Sequence, residues 1–261
     1  MTKQTALLDV SQMDIAFGGL RAIENVSVQI NEDEFVGLIG PNGAGKTTFF
    51  NSITGYIKPS KGNILFNGKN LVRKSPSKIA NYGVGRTFQN IRLFPKMTVL
   101  ENVSIPMHST PKYPVWAAML GLPVVKRIQI ETEKRALEYL SILGLDEYRN
   151  RQAGTLPYGF QRRLEIARAL AASPKLLLLD EPAAGMNNDE CNELVELLRS
   201  IHKMFNLTVM MIEHHIDIVL RLCSRIYVLN LGQVLAEGTP KQIQTDPKVI
   251  KAYLGDRRHK A

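Results

Sequence analysis

The sequence predicts an α/β protein with a mainly parallel sheet, an antiparallel β subdomain and an inserted α-helical subdomain. Strand-like alternation dominates the first third of the chain, helical spacing dominates the middle, and short apolar runs alternate with helical segments in the last third. Alternating strands and helices are typical of a parallel sheet covered by helices. The 261 residues, 44% hydrophobic and 22% charged, suffice for a substantial core and exclude wholesale disorder and collagen-like repeats.

Two kinds of strand are predicted in the first third. Residues 26–30 alternate between apolar and polar side chains, which is the period of a half-buried strand, and residues 64–66 lead into the tight-turn dipeptide Asn67-Gly68. Between them, residues 35–39 form a nearly continuous apolar run. Such a run suits a strand that is buried on both faces of a mainly parallel sheet.

The rest of the chain changes character twice. From about residue 75 to 172 the pattern is helical, and Ser173-Pro174 ends the last helix of this stretch. Strands and helices alternate after it, and a hairpin is predicted around Leu231-Gly232. The predicted segments are helices 133–143, 161–172, 191–205 and 216–222, and strands 176–179, 207–212, 226–229 and 233–236.

These segments predict a single domain over residues 1–261, because the chain contains no internal repeat and no low-complexity linker. The core and its β subdomain are expected over about 1–88 and 174–261. The helical subdomain is expected over about 89–173.

The charge balance leaves the partner open. Thirty-three Lys and Arg against 24 Asp and Glu give a net charge of +9. This excess favours nucleic acid, anionic lipid headgroups or a polyphosphate ligand through the same Coulombic attraction, and an unevenly charged solvated surface explains it as well. The two cysteines, Cys191 and Cys223, exclude a disulfide framework and suit a reducing compartment.

Neither a membrane span nor a signal peptide is predicted. The apolar stretch 113–125 is shorter than the roughly 20 residues that a transmembrane helix needs, and it contains two prolines. Asp9 and Asp14 interrupt the region where a signal peptide needs an apolar run. The chain is therefore expected to stay in the compartment where it is made.

A phosphate-binding pattern occupies residues 40–48. They match G-x-x-x-x-G-K-[ST] between the 35–39 strand and a helix that starts near Lys46, and that context lets backbone N–H groups converge on phosphate oxygens. Lys46 is predicted to reach the β- and γ-phosphates of a nucleotide and Thr47 to bind Mg²⁺, which makes the core a P-loop NTPase; the alternative is a glycine-rich turn that binds nothing. The predicted phosphate-binding residues are Gly40, Pro41, Asn42, Gly43, Ala44, Gly45, Lys46, Thr47 and Thr48.

Two adjacent carboxylates support this site. The 176–179 strand ends in Asp180-Glu181, so both acids lie at the carboxyl end of a buried strand, where open α/β sheets bind ligands. Asp180 is predicted to hold Mg²⁺ through a water molecule and Glu181 to polarise an attacking water. Adjacent acids at a strand end also serve as helix caps, but their occurrence together with the 40–48 motif favours the catalytic interpretation.

In combination these residues resemble the ATP-binding subunits of ABC transporters, over nearly the whole chain and with further motifs in the family's order. Gln89, at the end of RTFQ, resembles the glutamine that senses Mg²⁺ and the γ-phosphate in that family, and His214 matches its switch histidine. The signature position is occupied by Leu156, Pro157, Tyr158, Gly159 and Phe160, and the D-loop position by Ala184, Gly185, Met186 and Asn187.

Three of the matches have ordinary alternatives. Phe17 matches the family's adenine-stacking aromatic, and a core phenylalanine is the alternative. The alternative for Gln89 is a surface glutamine. His215 adjoins His214, although the family's order favours His214.

The signature departs from the family's LSGGQ or LSYGQ pattern. Pro157 stands where a serine donates a hydrogen bond to the γ-phosphate bound by the opposite subunit, and proline has neither a hydroxyl nor a backbone N–H. Phe160 replaces the glutamine, and Asn187 replaces the D-loop aspartate. Because the family's subunits pack head to tail, the resemblance implies that Pro157 faces the partner's ATP. The resulting hypothesis is one competent and one impaired site if the partner is a different subunit.

The closest resemblance within the family is to branched-chain amino-acid importers, in particular to the longer of their two ATPase subunits, through phrases such as GVGRTFQNIRLFPKMTVLENV and VIKAYLG. It implies an ATP- and Mg²⁺-dependent ATPase that drives import of branched-chain or other small hydrophobic amino acids. The implied partners are a second ABC ATPase subunit, in a heterodimer or a homodimer, two transmembrane permease subunits and, indirectly, an extracytoplasmic binding protein.

No nucleic-acid partner is implied, and the expected place is the cytoplasmic face of the cell membrane. The basic residues Arg162, Arg163, Arg257, Arg258 and Lys260 then suit an anionic leaflet. The 113–125 stretch falls where the longer subunit has an extra helical piece.

One alternative is a non-transport ABC ATPase acting on nucleic acid or ribosomes, although this chain lacks that class's second ATPase half and coiled-coil insertion. A P-loop kinase or GTPase is the other, although no Asn-Lys-x-Asp motif is present.

Overall fold

The computed structural model describes residues 6–108, 120 and 122–255, which fall into two units. The first unit consists of the residues up to Arg86 and from Lys175 onward, and the second unit is Thr87–Pro174. Most of the 113–125 stretch and the basic residues Arg257, Arg258 and Lys260 lie outside the described residues.

All described strands belong to the first unit, where they form two sheets. The larger sheet has the order β10-β9-β3-β8-β7-β6 and is parallel except between β10 and β9; the smaller has the order β2-β1-β4-β5 and is antiparallel. The predicted α/β class, with a mainly parallel sheet and an antiparallel β subdomain, is confirmed. The strands are β1 (Leu8–Phe17), β2 (Leu20–Ile30), β3 (Phe35–Ile39), β4 (Lys61–Phe66), β5 (Lys69–Asn70), β6 (Val84–Arg86), β7 (Leu176–Asp180), β8 (Thr208–Ile212), β9 (Arg225–Asn230) and β10 (Gln233–Gly238).

Burial follows the periodicities in the sequence. Every residue of β3, β7 and β8 is buried, as expected for inner strands that helices cover on both faces. In β2, Val26, Val28 and Ile30 are buried, whereas Ser27 and Gln29 point to solvent. Both strand predictions are confirmed.

The strands β1, β5 and β6 lie where the sequence pattern does not indicate them. β6 falls inside the stretch predicted to be helical, and that part of the prediction is wrong. It pairs in parallel with Leu176–Leu178, and three residues are too few to show a period, so pairing decides their conformation. In β1, the register against β2 shifts between Val10 and Met13, and this irregularity interrupts the alternation that would predict a strand.

The helices of the second unit begin earlier than predicted, at Pro123 rather than 133 and at Tyr158 rather than 161. Prolines stand at both starts, where a missing N–H costs nothing.

No helix within 6–108 or 122–255 is long and apolar enough to cross a membrane. The described helices are α1 (Lys46–Ile53), α2 (Pro76–Asn81), α3 (Val99–Ser104), α4 (Pro123–Ile142), α5 (Tyr158–Ala171), α6 (Asn188–Phe205), α7 (Ile216–Leu222), α8 (Pro240–Thr245) and α9 (Pro247–Gly255).

Each unit has its own apolar interior. In the first unit, Phe49 and Phe50 of α1 are fully buried, which fixes the helix that follows the 40–48 loop. In the second, Val103 of α3, Leu140 of α4 and Leu164 of α5 are fully buried. Burying a side chain of this size contributes about 1.5–3 kcal/mol, so the loops of the site are attached to well-anchored elements.

Candidate functional site

The 40–48 segment consists of the loop after β3 and the first three residues of α1, and it depends on glycine at two positions. Gly40 has φ +150° and Gly45 has φ +101°. A Cβ on Gly40 would lie 2.0 Å from the carbonyl oxygen of Leu229, and one on Gly45 would lie 2.7 Å from that of Ala22. Space and backbone conformation therefore both demand glycine here.

Lys46, the first residue of α1, holds this loop from the inside. It is only 6% exposed, and its Nζ donates to the carbonyl oxygens of Gly40 at 2.7 Å and Pro41 at 3.0 Å. Burial lowers the pKa of Lys46, and the negative charges of Glu181 and Asp180 oppose that shift. An ammonium has three donors, so the third is available for a phosphate oxygen.

The start of α1 also suits an anion. Gly45 is its N-cap and offers no side-chain acceptor to the first-turn N–H groups, and no acidic residue lies in that turn. Thr47 is exposed and Thr48 half-buried. Backbone N–H groups without a side-chain cap, beside a lysine, suit the phosphates of a nucleotide, so the segment fits this ligand.

Asp180, the last residue of β7, is buried in an ion pair. Its Oδ2 lies 2.9 Å from Arg86 Nη2. The Arg86 Nη1 donates to Asn51 Oδ1 at 2.8 Å and to Thr54 Oγ1 at 2.9 Å, both at the end of α1. Arg86 therefore ties the predicted metal-binding carboxylate to the helix of the phosphate loop. Sequence reasoning missed Arg86, because nothing local marks it as a partner of Asp180.

Glu181 and His214 meet across the ends of β7 and β8. His214 Nε2 lies 2.8 Å from Glu181 Oε1, and the side chains are 44% and 13% exposed. Glu181 has φ +49°, a strained conformation for a residue other than glycine, and its N–H donates to Ile212 O at 2.9 Å. Of the two adjacent histidines, His214 is the one in contact with Glu181.

A magnesium ion would need oxygen donors here. The described residues contain no group of three or more His, Cys, Asp or Glu side chains able to hold a metal. Mg²⁺ is usually bound by one or two carboxylates, waters and substrate phosphates instead. The Thr47 hydroxyl and the Asp180 carboxylate both offer oxygen atoms as metal ligands, so the residues present fit Mg²⁺.

Phe17 and the D-loop residues lie in the first unit. Phe17 ends β1 and is 50% exposed, so the core alternative for this ring is wrong. Ala184, Gly185 and Met186 precede α6, and Asn187 is the N-cap of that helix.

Asn187 and Glu190 form a reciprocal cap. The Asn187 Oδ1 accepts from the backbone N–H groups of Asp189 at 2.9 Å and Glu190 at 3.0 Å, and Glu190 Oε2 accepts from the Asn187 N–H at 2.9 Å. Asparagine thus serves α6 as well as the aspartate expected from the family's pattern would.

The signature residues begin α5 in the second unit. Leu156 is buried, Pro157 is the N-cap without a side-chain hydrogen bond, and Tyr158 and Gly159 open the helix. The ring of Phe160 packs on Tyr148 with centroids 4.8 Å apart. Phe160 therefore has a packing role where the family's pattern has a polar glutamine.

Gln89 lies in the same unit and is exposed. A side chain of α5 forms a hydrogen bond to its backbone. Arg162 Nη2 donates to Gln89 O at 2.9 Å and Nη1 to Phe88 O at 2.7 Å. Glu165 Oε2 accepts from Arg162 Nη1 at 2.7 Å, and both side chains are buried. The expectation that Arg162 contributes to a basic surface is wrong, because its side chain is fully buried. Its hydrogen bonds instead fix the Gln89 loop to the signature helix.

The family model described as ABC transporter matches residues 23–184. The chain belongs to this family. A second model, described as branched-chain amino acid ATP-binding cassette transporter, matches residues 233–259 of this ABC transporter subunit.

Individual relatives of this ABC transporter subunit match it nearly end to end. The high-affinity branched-chain amino acid transport ATP-binding protein LivG of Escherichia coli (strain K12) is 47% identical over 250 residues, which cover 96% of this chain and 98% of LivG. The crystal structure of the ADP conformation of an ATP-binding cassette of an ABC transporter has a TM-score of 0.83 and 32% identity, with 96% and 99% coverage. A dimeric post-hydrolysis cassette bound to ADP and Pi has a TM-score of 0.75 and 27% identity, with 89% and 98% coverage. The chain is thus a nucleotide-binding ATPase component of an ABC transporter.

Proposed function

We propose that this chain is the ATP-hydrolysing subunit of an importer for branched-chain amino acids and that it works with Mg²⁺. The observation that carries the catalytic part is the Glu181–His214 contact in the unit that holds the 40–48 loop. The solute class rests on the similarity to LivG and on the match at residues 233–259.

In this proposal the loop and Lys46 bind the phosphates. The glycine backbone of the 40–48 segment and the start of α1 supply N–H donors, and Lys46 adds a cation that is already desolvated. Thr47 and Asp180 would hold Mg²⁺, which would neutralise charge on the phosphate oxygens. Phe17, exposed at the end of β1, stacks on the adenine.

Glu181 is the general base and His214 its partner. The Glu181 carboxylate accepts a proton from the attacking water, since it lies at a strand end with little exposure and is oriented by a histidine at 2.8 Å. His214 fixes this orientation and is exposed enough to meet a phosphate. Gln89 keeps the Mg²⁺- and γ-phosphate-sensing role that the family resemblance implies.

The partners follow from the ATPase cycle of the family. We propose that a second ABC ATPase completes the site, that two permeases carry the solute and that a binding protein delivers it. Leu156, Pro157, Tyr158, Gly159 and Phe160 then serve the partner's ATP, and the 184–187 loop lies at the junction. Such a subunit would lie on the cytoplasmic face of the membrane, where a charge of +9 suits an anionic leaflet.

Pro157→Ser is expected to raise ATP turnover of the assembled transporter. The change adds a hydroxyl and a backbone N–H at the start of α5, and one preorganised donor is worth about 10²–10³ in rate where it is limiting. We expect a rise of at least about tenfold at one of the two sites, measured in single-turnover assays. Pro174→Ser is the control, since Pro174 lies outside the signature. An unchanged rate would show that Pro157 limits nothing.

Reconstitution tests the transport function. The chain should co-purify with a polytopic membrane protein, and vesicles containing the complex should accumulate labelled leucine, isoleucine or valine only with ATP and Mg²⁺. Uptake should be lost with Glu181→Gln. Salt-sensitive DNA binding without any membrane partner would favour the non-transport ABC ATPase instead.

A further inference from the structure

Glu213 is a buried carboxylate that the proposed mechanism does not use. It directly follows β8 and is 1% exposed. Its Oε1 accepts from the backbone N–H of Ala183 at 2.7 Å, and its Oε2 accepts from those of His214 at 2.9 Å and His215 at 3.2 Å. One side chain thus satisfies three backbone donors.

The three donors belong to two different loops. Ala183 lies two residues after Glu181 in the loop that follows β7, whereas His214 and His215 lie in the loop that follows β8. Each carboxylate oxygen serves one loop, so the carboxyl group spans the gap between them. The Glu181 N–H bond to Ile212 O at 2.9 Å adds a second link from the β7 side.

We infer that Glu213 is a positioning residue for ATP hydrolysis, which sets the distance between Glu181 and His214 by tying their loops together. This inference rests on the proposed roles of those two residues. In this scheme Glu213 does not contact the nucleotide and acts through Glu181 and His214.

The chemistry requires a carboxylate rather than an amide. An ionised carboxylate only accepts hydrogen bonds, so both oxygens can face backbone N–H groups. Glutamine would turn an NH₂ group towards one of the loops, where it opposes another donor, and that loop would be released. Bonds from backbone N–H groups to an ionised acceptor are also stronger than neutral ones.

The test compares Glu213→Gln with Glu34→Gln in the full chain. Glu34 is the matched control, because it lies in the same unit and its carboxylate accepts from the Asn31 backbone N–H at 2.8 Å. Glu213→Gln should lower kcat about 10–100-fold, the scale expected when reacting groups shift by about an ångström, with affinity for a fluorescent ATP analogue unchanged within about twofold. The ¹⁵N signals of the His214 ring, assigned with His214→Ala, should shift. Glu34→Gln should move none of these readouts.

A second variant guards against misfolding. Glu213→Asp keeps the charge but is one methylene shorter, so it should reach only one loop and lower kcat in the same direction. Unchanged kcat and unshifted His214 signals in both variants would overturn the inference, as would parallel loss of ATP binding and kcat. If Glu181→Gln keeps full turnover, the proposed function fails, whereas a shift of the His214 signals in Glu213→Gln would still report the link between the loops.

Discussion

Glu181→Gln is expected to lower ATP turnover about 10²–10⁴-fold, which is the range that a general base contributes. The amide is nearly isosteric and retains a hydrogen bond to His214, which lies 2.8 Å away, but it cannot take a proton from water. Nucleotide binding should persist, since Lys46 and the 40–48 loop are unchanged. The chain should therefore retain ATP, measured as bound nucleotide after rapid gel filtration alongside phosphate release.

Glu196→Gln provides the control for this experiment. It removes the same charge from an exposed position on α6, where Glu196 pairs with the surface residues Arg199 and Arg221, and exposed pairs are worth about 0–1 kcal/mol. Its turnover should match that of the unmodified chain. Undiminished hydrolysis by Glu181→Gln would refute the role of Glu181 as the base.

Lys46→Met should weaken ATP binding about 10- to 100-fold, because hydrogen bonds to charged groups contribute about 1.5–3 kcal/mol. Methionine has a similar length and suits a site that is 6% exposed, so the apolar stem is replaced while the cation is lost. The bonds to the carbonyl oxygens of Gly40 and Pro41 are lost as well, which should loosen the loop. Titration with a fluorescent ATP analogue measures the affinity, and thermal unfolding reports the loop's contribution.

Lys78→Met separates the local effect from the effect of net charge. Lys78 is exposed on α2, so its loss lowers the charge of +9 by one without touching the phosphate loop. Binding of the ATP analogue should then be unchanged. Equal losses for the two variants would mean that the general positive field, and not the Lys46 ammonium, attracts the nucleotide.

Much of the site was predictable because its residues are contiguous. The 40–48 motif is a single segment, and its glycines, its lysine and the strand and helix on either side are all local features. The same holds for Asp180 and Glu181 at the end of a buried apolar run. His214 follows such a run too, which is why the ends of β7 and β8 could be expected at one edge of the sheet.

Residues that act through distant partners were not predictable in this way. Arg86 and Asp180 are 94 positions apart, and Ala183 and Glu213 are 30 apart, so no spacing rule connects them. Arg162 looked like part of a basic surface and is instead enclosed, with its charge balanced by Glu165 and by backbone carbonyls. The strand β6 exists only through its pairing with β7.

By itself the sequence determined the class of fold, the phosphate loop and the family resemblance, because periodicity and short motifs record local backbone geometry. The tertiary structure alone decided which carboxylates and arginines meet, and thereby which groups hold Asp180, Glu181 and His214 in place. The physical reason is that a buried charge is costly unless an opposite charge or hydrogen-bonding groups lie beside it, and the fold can supply those groups from any distance along the chain.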